Sequence, residues 1–271
     1  MNAVLQHNGA KWGFRTTLLL YIFILIVLPI TGIYVHAWSE GWNAFWDSIM
    51  EPLAWQSVWL TIRLAVIATL INAVLGTICA WVLHRYQFPG RMLINSLVDL
   101  PFALPTAVGG LMILLLLGPN SFVGDIADAL GLRLVFAEPA IVVAMVFVTF
   151  PFVIRAVQPL LEEADQSQEE AAHTLGASKW RTFLNVLFPQ MRPGIWSGCM
   201  LAFSRALAEF GAVVLVAGNI PGKTLIASVY IFSEIESDNP QGAAAISVIL
   251  LTLAFFILLL VNYMQSRGSR A

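Results

Sequence analysis

Two ionisable side chains occupy a place where water is scarce. Arg205 and Glu209 sit four residues apart inside the otherwise apolar stretch Gly194–Gly218. On a helix that spacing puts both on one face. Arg205 falls about 17 Å along the axis from Gly194 at 1.5 Å per residue, near the middle of a hydrocarbon core about 30 Å thick. Charges at that depth are costly unless paired or facing water. Two chemistries fit. Arg205 can lend positive potential to a passage for an anion, with Glu209 holding it in place; or the two form a closed ion pair that fixes the helix against its neighbours. A second candidate uses backbone in place of charge. Pro101 and Pro105 disturb a helix near Leu97–Leu117, and Thr106, Gly109 and Gly110 admit another chain at close range. A broken helix can aim free N–H groups at an anion; a kinked packing helix is the alternative. Arg63 is expected to snorkel outward, and Asn72 to act as interhelical glue.

Catalytic and metal chemistry find no such support. The four histidines (His7, His36, His84, His173) are scattered without metal-ligand spacing. Cys79 and Cys199 lie inside apolar runs and read as small buried hydrophobes. The run Gly218-Asn-Ile-Pro-Gly-Lys-Thr224 imitates a phosphate-binding loop, but Asn219, Ile220 and Pro221 make three residues between its glycines where four are needed. No catalytic residue, metal or cofactor is therefore expected in this chain, and no ATP hydrolysis by the chain alone.

The elements that must position these residues follow from composition. The chain has 271 residues, is 59% hydrophobic and 11% charged, and has a mean hydropathy of +0.80. A soluble domain is roughly 45–50% apolar and about 25% charged, so a soluble enzyme, a disordered chain and a disulfide scaffold are excluded. A net charge of −2 leaves no basic footprint for nucleic acid; the solvent is membrane lipid. Six stretches approach the roughly 20 apolar residues a crossing helix needs: Thr16–Ala37, Ser57–Leu83, about Leu97–Leu117, about Ala140–Val157, Gly194–Gly218 and Ala243–Asn262. The expected fold is an all-α integral membrane bundle. Residues 1–56 form a tail, a first helix and an outer interfacial segment rich in Trp. Residues 57–263 form a core of five helices, and 264–271 a second tail. Lys11, Arg15, Arg85, Arg91, Arg155, Lys179, Arg181, Arg192, Arg267 and Arg270 fall on one side; Arg133, Lys223 and the nearby Arg63 fall on the other. The excess of basic residues marks the cytoplasmic side, which puts both termini in the cytoplasm.

Between the fourth and fifth stretches lies a polar insert, 159–193. Asp165–Leu175 reads as a helix with acids in its first turns, where the macrodipole favours them. Gly176 can take the left-handed conformation that ends it, and Ser178 suits the cap of a second helix, Lys179–Phe188. Pro189 and Pro193 are expected to stop that helix. Ala171, Ala172 and Leu175 give the first helix a small, close-packing face; Trp180, Phe183, Leu184 and Leu187 give the second an apolar stripe.

These residues resemble a known pattern. Glu170-Ala171-Ala172, Gly176, Val186, Phe188 and Pro189 match, at the same spacing, the E-A-A loop of membrane subunits of bacterial ATP-driven importers, with Val for Ile and Phe for Leu. Asp99-Leu-Pro-Phe-Ala-Leu-Pro-Thr-Ala-Val108, Arg205-Ala-Leu-Ala-Glu-Phe-Gly-Ala212 and His84-Arg-Tyr-Gln-Phe-Pro-Gly-Arg91 are similar to segments of sulfate/thiosulfate and molybdate permeases, T-type sulfate permeases above all. The resemblance implies a type I ABC importer permease fold in a bacterial inner membrane, with the first loop helix docking on a separate ATPase. It implies a second permease subunit of the W type, two ATP-binding subunits that hold ATP and magnesium, and a periplasmic sulfate/thiosulfate-binding protein. A molybdate or tungstate permease of the same family is the alternative. From other classes, a gradient-driven carrier would favour an internal repeat and several intramembrane acids, and a non-transporting scaffold would leave the docking loop incidental.

Overall fold

The computed structural model describes residues 8–268; residues 1–7 and 269–271, which carry the ends of both expected tails, lie outside the described residues. Among the described residues every regular element is helical. In chain order these are α1 (Asn8–Ile22), α2 (Leu28–Ala37), α3 (Trp42–Met50), α4 (Pro52–Arg85), α5 (Arg91–Val98), α6 (Leu100–Ala103), α7 (Thr106–Leu117), α8 (Phe122–Ala129), α9 (Glu138–Glu162), α10 (Gln166–Thr174), α11 (Lys179–Thr182), α12 (Phe188–Leu207), α13 (Gly211–Val216), α14 (Ala227–Glu236) and α15 (Pro240–Gly268). Among the described residues four helices are long and apolar enough to cross a bilayer: Trp12–Ala37, Pro52–Arg85, Glu138–Glu162 and Pro240–Tyr263. The pair α7 and α8, bent by 52°, would make a fifth.

The chain divides into two compact units, residues 1–51 with 231–249 and residues 52–230 with 250–271. In the smaller, the Trp-rich segment forms the short helix α3; Trp38 stacks on Trp42 and Phe45, and Trp46 meets Trp42 and Phe45 edge-on, with ring centroids 4.6–6.3 Å apart. In the larger, α9 packs between α4 and α12, and small residues set the spacing. A Cβ on Gly76 of α4 would stand 2.9 Å from the Cβ of Val153; one on Gly198 of α12 would stand 2.7 Å from the Cα of Val153; one on Gly194 would stand 2.5 Å from the carbonyl oxygen of Ala156. Val153 is wholly buried between them. Membrane helices gain little from expelling lipid, so close van der Waals approach carries their association. Asn72, fully buried, donates from Nδ2 to Thr149 Oγ1 at 2.8 Å and to the Val146 carbonyl at 3.3 Å, the interhelical bonds expected of it.

One expectation is met and two need correction. The third stretch is disturbed at its prolines as expected: α6 and α7 part where Leu104 and Pro105 adopt extended ψ values of 140° and 133°. The residue before a proline is driven from the α region, and the break falls there. The fifth stretch also breaks, α12 ending at Leu207 and α13 beginning at Gly211. Conversely, Pro189 and Pro193 do not stop the second loop helix. The chain runs from α11 through a π turn, Phe183–Leu187, straight into α12. A proline clashes with the carbonyl four residues back and offers it no N–H. The wider π turn, with Phe188 N–H donating to the Phe183 carbonyl, absorbs the mismatch one residue before Pro189. The same device precedes Pro29, where Leu28 N–H donates to the Phe23 carbonyl.

Replacing Gly198 by Leu forces α12 away from α9 and is expected to cost about 1–3 kcal/mol or more. Gly32→Leu serves as control, because a Cβ on Gly32 would meet nothing within 4 Å. Thermal unfolding of the detergent-solubilised chain should show a lowered midpoint for the first and no change for the second.

Candidate functional site

The loop 159–193 folds as a knuckle at one end of the larger unit. Its first helix, α10, is capped by Asp165, whose carboxylate accepts from Ser167 N–H at 2.9 Å. The side-chain and backbone hydrogen bonds of Ser167 hold the Asp165 carboxyl below its ordinary pKa. The cap is therefore at full strength at neutral pH and is lost only as pH falls through that lowered value. The helix ends in a Schellman motif: Ala177 N–H donates to the Ala172 carbonyl and Gly176 N–H to that of His173, both at 3.0 Å, with Gly176 at φ +80°. Ser178 then caps α11 by accepting from Arg181 N–H at 3.3 Å.

Glu170, Ala171, Gly176 and Pro189 are exposed, while Ala172, Val186 and Phe188 are half-buried. Leu175 is 88% and Trp180 67% exposed, and Leu184 also faces outward. Phe183 and Leu187 turn inward instead, Phe183 against Trp81 with ring centroids 5.6 Å apart. The knuckle thus shows small and apolar side chains with nothing over them. It is fastened from below by contacts that no local sequence pattern signals. Glu169, by sequence only a first-turn acid, binds Arg85 at the end of α4 through two contacts of 3.0 and 3.2 Å. Gln190 of α12 donates to Gln168 at 2.8 Å.

The second candidate region lies where α7 crosses α13. A Cβ on Gly110 would stand 2.5 Å from the Ala212 carbonyl oxygen, one on Gly211 would collide with Thr106 Oγ1, and one on Gly109 would meet the Phe147 ring at 2.8 Å. Thr106 is thereby brought against the segment that follows Glu209. Pro101 is buried beneath the α6 break and Pro105 is exposed beside it. Arg205 Nη1 lies 2.7 Å from Glu209 Oε2, with the Arg side chain 33% and the Glu side chain 1% exposed. Glu209 also accepts from Ala212 N–H through Oε1 at 2.8 Å, and its own carbonyl accepts from Ser228 Oγ at 2.7 Å. It caps α13 and so sets the α7–α13 crossing, a role invisible in the i, i+4 spacing. Arg205 keeps an open side.

Two further ion pairs join segments remote in sequence. Arg155 of α9 holds Asp99 in a bidentate pair at 2.6 and 2.7 Å and also reaches Asn95. Arg63 does not simply snorkel: its Nη2 lies 2.5 Å from Glu138 Oε1 at the start of α9.

Helices apolar and long enough to cross a bilayer, with a knuckle of exposed small and apolar side chains at one end of the larger unit, are the features of a membrane-spanning subunit. The chain belongs to the family of binding-protein-dependent transport system inner membrane components, whose model matches residues 72–270. It is 44% identical over 261 residues to a probable sulfate transport system permease protein of Chlorokybus atmophyticus, covering 96% of this chain and 91% of that one. It is 41% identical over 252 residues to the sulfate transport system permease protein CysT of Synechocystis, covering 93% and 88%. It is 39% identical over 254 residues to that of Escherichia coli K12, covering 94% and 92%. A subunit of a bacterial alginate ABC transporter crystallised with its periplasmic protein shares the fold, with a TM-score of 0.77, 97% of each chain covered and 17% identity.

Glu209→Ala is expected to leave the Ala212 N–H unsatisfied in a buried site and to cost about 1–3 kcal/mol, lowering the unfolding midpoint. Arg205→Gln leaves the Glu209 carboxylate, 1% exposed, without its counter-charge and should lower the midpoint at least as much. Breaking the Arg85–Glu169 pair by Arg85→Gln should leave subunit levels unchanged while reducing uptake, which immunoblots and radiolabelled uptake on the same membranes will separate.

Proposed function

We propose that the chain is the membrane-spanning permease subunit of an ATP-driven importer of sulfate, with thiosulfate as a second substrate. The observation that carries this reading is the 39–44% identity to sulfate permeases along more than nine-tenths of the chain. In this reading α1–α2, α4, α5–α7, α9, α12–α13 and α15 make six passages through the bacterial inner membrane, the third and fifth of them broken, with both termini and the knuckle in the cytoplasm. In the proposed topology ten basic residues of the sequence fall on the knuckle's side of the membrane and three on the other, which supports that orientation.

A separate pair of ATPase subunits holds ATP and magnesium and takes α10 into a groove through Glu170, Ala171, Ala172 and the exposed Leu175. A second permease, of the W type, completes the passage, and a periplasmic binding protein delivers the anion. When ATP closes the ATPase dimer, the fastened knuckle moves with the bundle, and the cavity between the permeases opens outward; hydrolysis resets it. The differential contact of α10 with the open and closed ATPase is what biases the two states. Arg205, its charge partly offset by Glu209, adds positive potential along the passage, and the α6–α7 break with Thr106 and Gly109 offers backbone donors.

The reconstituted complex should hydrolyse ATP faster with binding protein loaded with sulfate or thiosulfate, and not with molybdate. A response to molybdate alone reassigns the substrate. Gly176→Pro cannot adopt φ +80° and should reduce ATPase co-purification about tenfold, equivalent to roughly 1.4 kcal/mol at the interface. Unchanged co-purification and uptake would contradict docking through the knuckle.

A further inference from the structure

At the end of the larger unit opposite the knuckle, the N-terminal turns of α4 and α9 open on a cavity of about 550 Å³. Arg63, Arg133 and Lys223 all line it. They come from three segments separated by 70 and 90 residues, and they are the three basic residues that the charge pattern places on the outer side. A side otherwise stripped of cations has its cations gathered into one hollow. Glu138, paired with Arg63, is the acid in the lining. Among the described residues neither Arg133 nor Lys223 has an ion-pair partner. Asp128 lines a smaller neighbouring cavity that shares Arg133. Apolar walls from Leu53, Trp59 and Phe136 lower the local dielectric and lengthen the reach of these charges. The positive ends of two long helices add to the same field.

We infer that this cavity is a receiving site for a small tetrahedral dianion, which it holds on the outer face between release from the binding protein and entry to the passage. The lining sums to two positive charges, which matches sulfate and is poorly used by chloride. Arg133 and Lys223 provide the N–H donors, and Arg63, steered by Glu138, frames the entrance. The site lies within one subunit, apart from the Arg205 region. The inference rests on the reading of the chain as an oxyanion permease and adds a waiting site to it.

The test uses the complete importer in phosphatidylcholine nanodiscs, with inorganic sulfate as the probe. Acylation of Lys223 by an amine reagent is followed by mass spectrometry, with Lys179 in the knuckle as internal control. Sodium sulfate should slow Lys223 labelling about threefold or more relative to sodium chloride at equal ionic strength, leaving Lys179 unchanged. Arg133→Gln should abolish the protection and Arg133→Lys should retain it. Glu138→Gln, which removes the one negative charge of the lining, should shift half-protection to lower sulfate, about threefold. Equal protection by chloride, no protection, or full protection in Arg133→Gln would overturn the inference. So would nanodiscs of phosphatidylglycerol that shield Lys223 without sulfate and leave sulfate no further effect, since the occupant would then be a lipid phosphate. Sulfate uptake by the same complex in closed proteoliposomes keeps the two readings apart. Uptake without Lys223 protection removes the receiving site and leaves the permease reading; protection without uptake does the reverse.

Discussion

Gly76, Gly194 and Gly198 have no side chains to hold α4 and α12 away from α9, and the rest of the larger unit is built on the closeness that results. Val153 fills the space that both glycines at 76 and 198 leave, and Gly194 rests on the Ala156 backbone. In lipid, where hydrophobic exclusion between helices is weak, this contact replaces the oil-drop core of a soluble protein. It also makes α9, about 37 Å long for 25 residues, a shaft that runs from the cationic hollow to the knuckle. Polar bonds along the shaft all tie α9 or its neighbours to something distant: Arg63 to Glu138 at one end, Asn72 to Thr149 midway, Arg155 to Asp99, and Arg85 to Glu169 at the other.

Around that shaft the regions of interest are the irregular ones. The α6–α7 break, the α12–α13 break and the knuckle all depart from regular helix: the first follows from the backbone restriction at Pro105, and the other two are held by side-chain bonds to backbone N–H groups. Glu209 uses its carboxylate on the N–H of Ala212 as well as on Arg205. Glu209 is therefore structural and charged at once: it positions the segment that meets α7 and pairs with Arg205.

Local features were legible in the sequence and long-range ones were not. The Asp165 and Ser178 caps and the left-handed Gly176 follow from the side chains of a few consecutive residues, and each stands where those residues place it. The Arg205–Glu209 face and the interhelical Asn72 were equally readable, because depth in an apolar run is itself information. Pro189 misleads because proline reads as a stop, whereas a π turn one residue earlier lets the helix pass. The prolines of the third stretch announce its break, whereas the fifth reads as a whole span because hydropathy does not register a three-residue break. The pairs Arg85–Glu169, Arg63–Glu138 and Arg155–Asp99 bridge 56–84 residues, and the gathering of Arg63, Arg133 and Lys223 needs the fold to bring three segments together. A single sequence holds no signal for such meetings.

If the knuckle is a rigid extension of the helical shaft, it carries the motion of a separate ATPase into the membrane without bending. Spin labels on Ser167→Cys in α10 and Trp55→Cys at the far end of α4, in a chain lacking Cys79 and Cys199, measure this by pulsed electron resonance in the complete importer. A rigid knuckle gives one narrow distance distribution, unchanged to within about 2 Å between nucleotide-free and ATP-trapped complexes. A distance that shifts or splits with nucleotide would show α10 swinging on its own, and the knuckle and bundle could not then move as a single shaft.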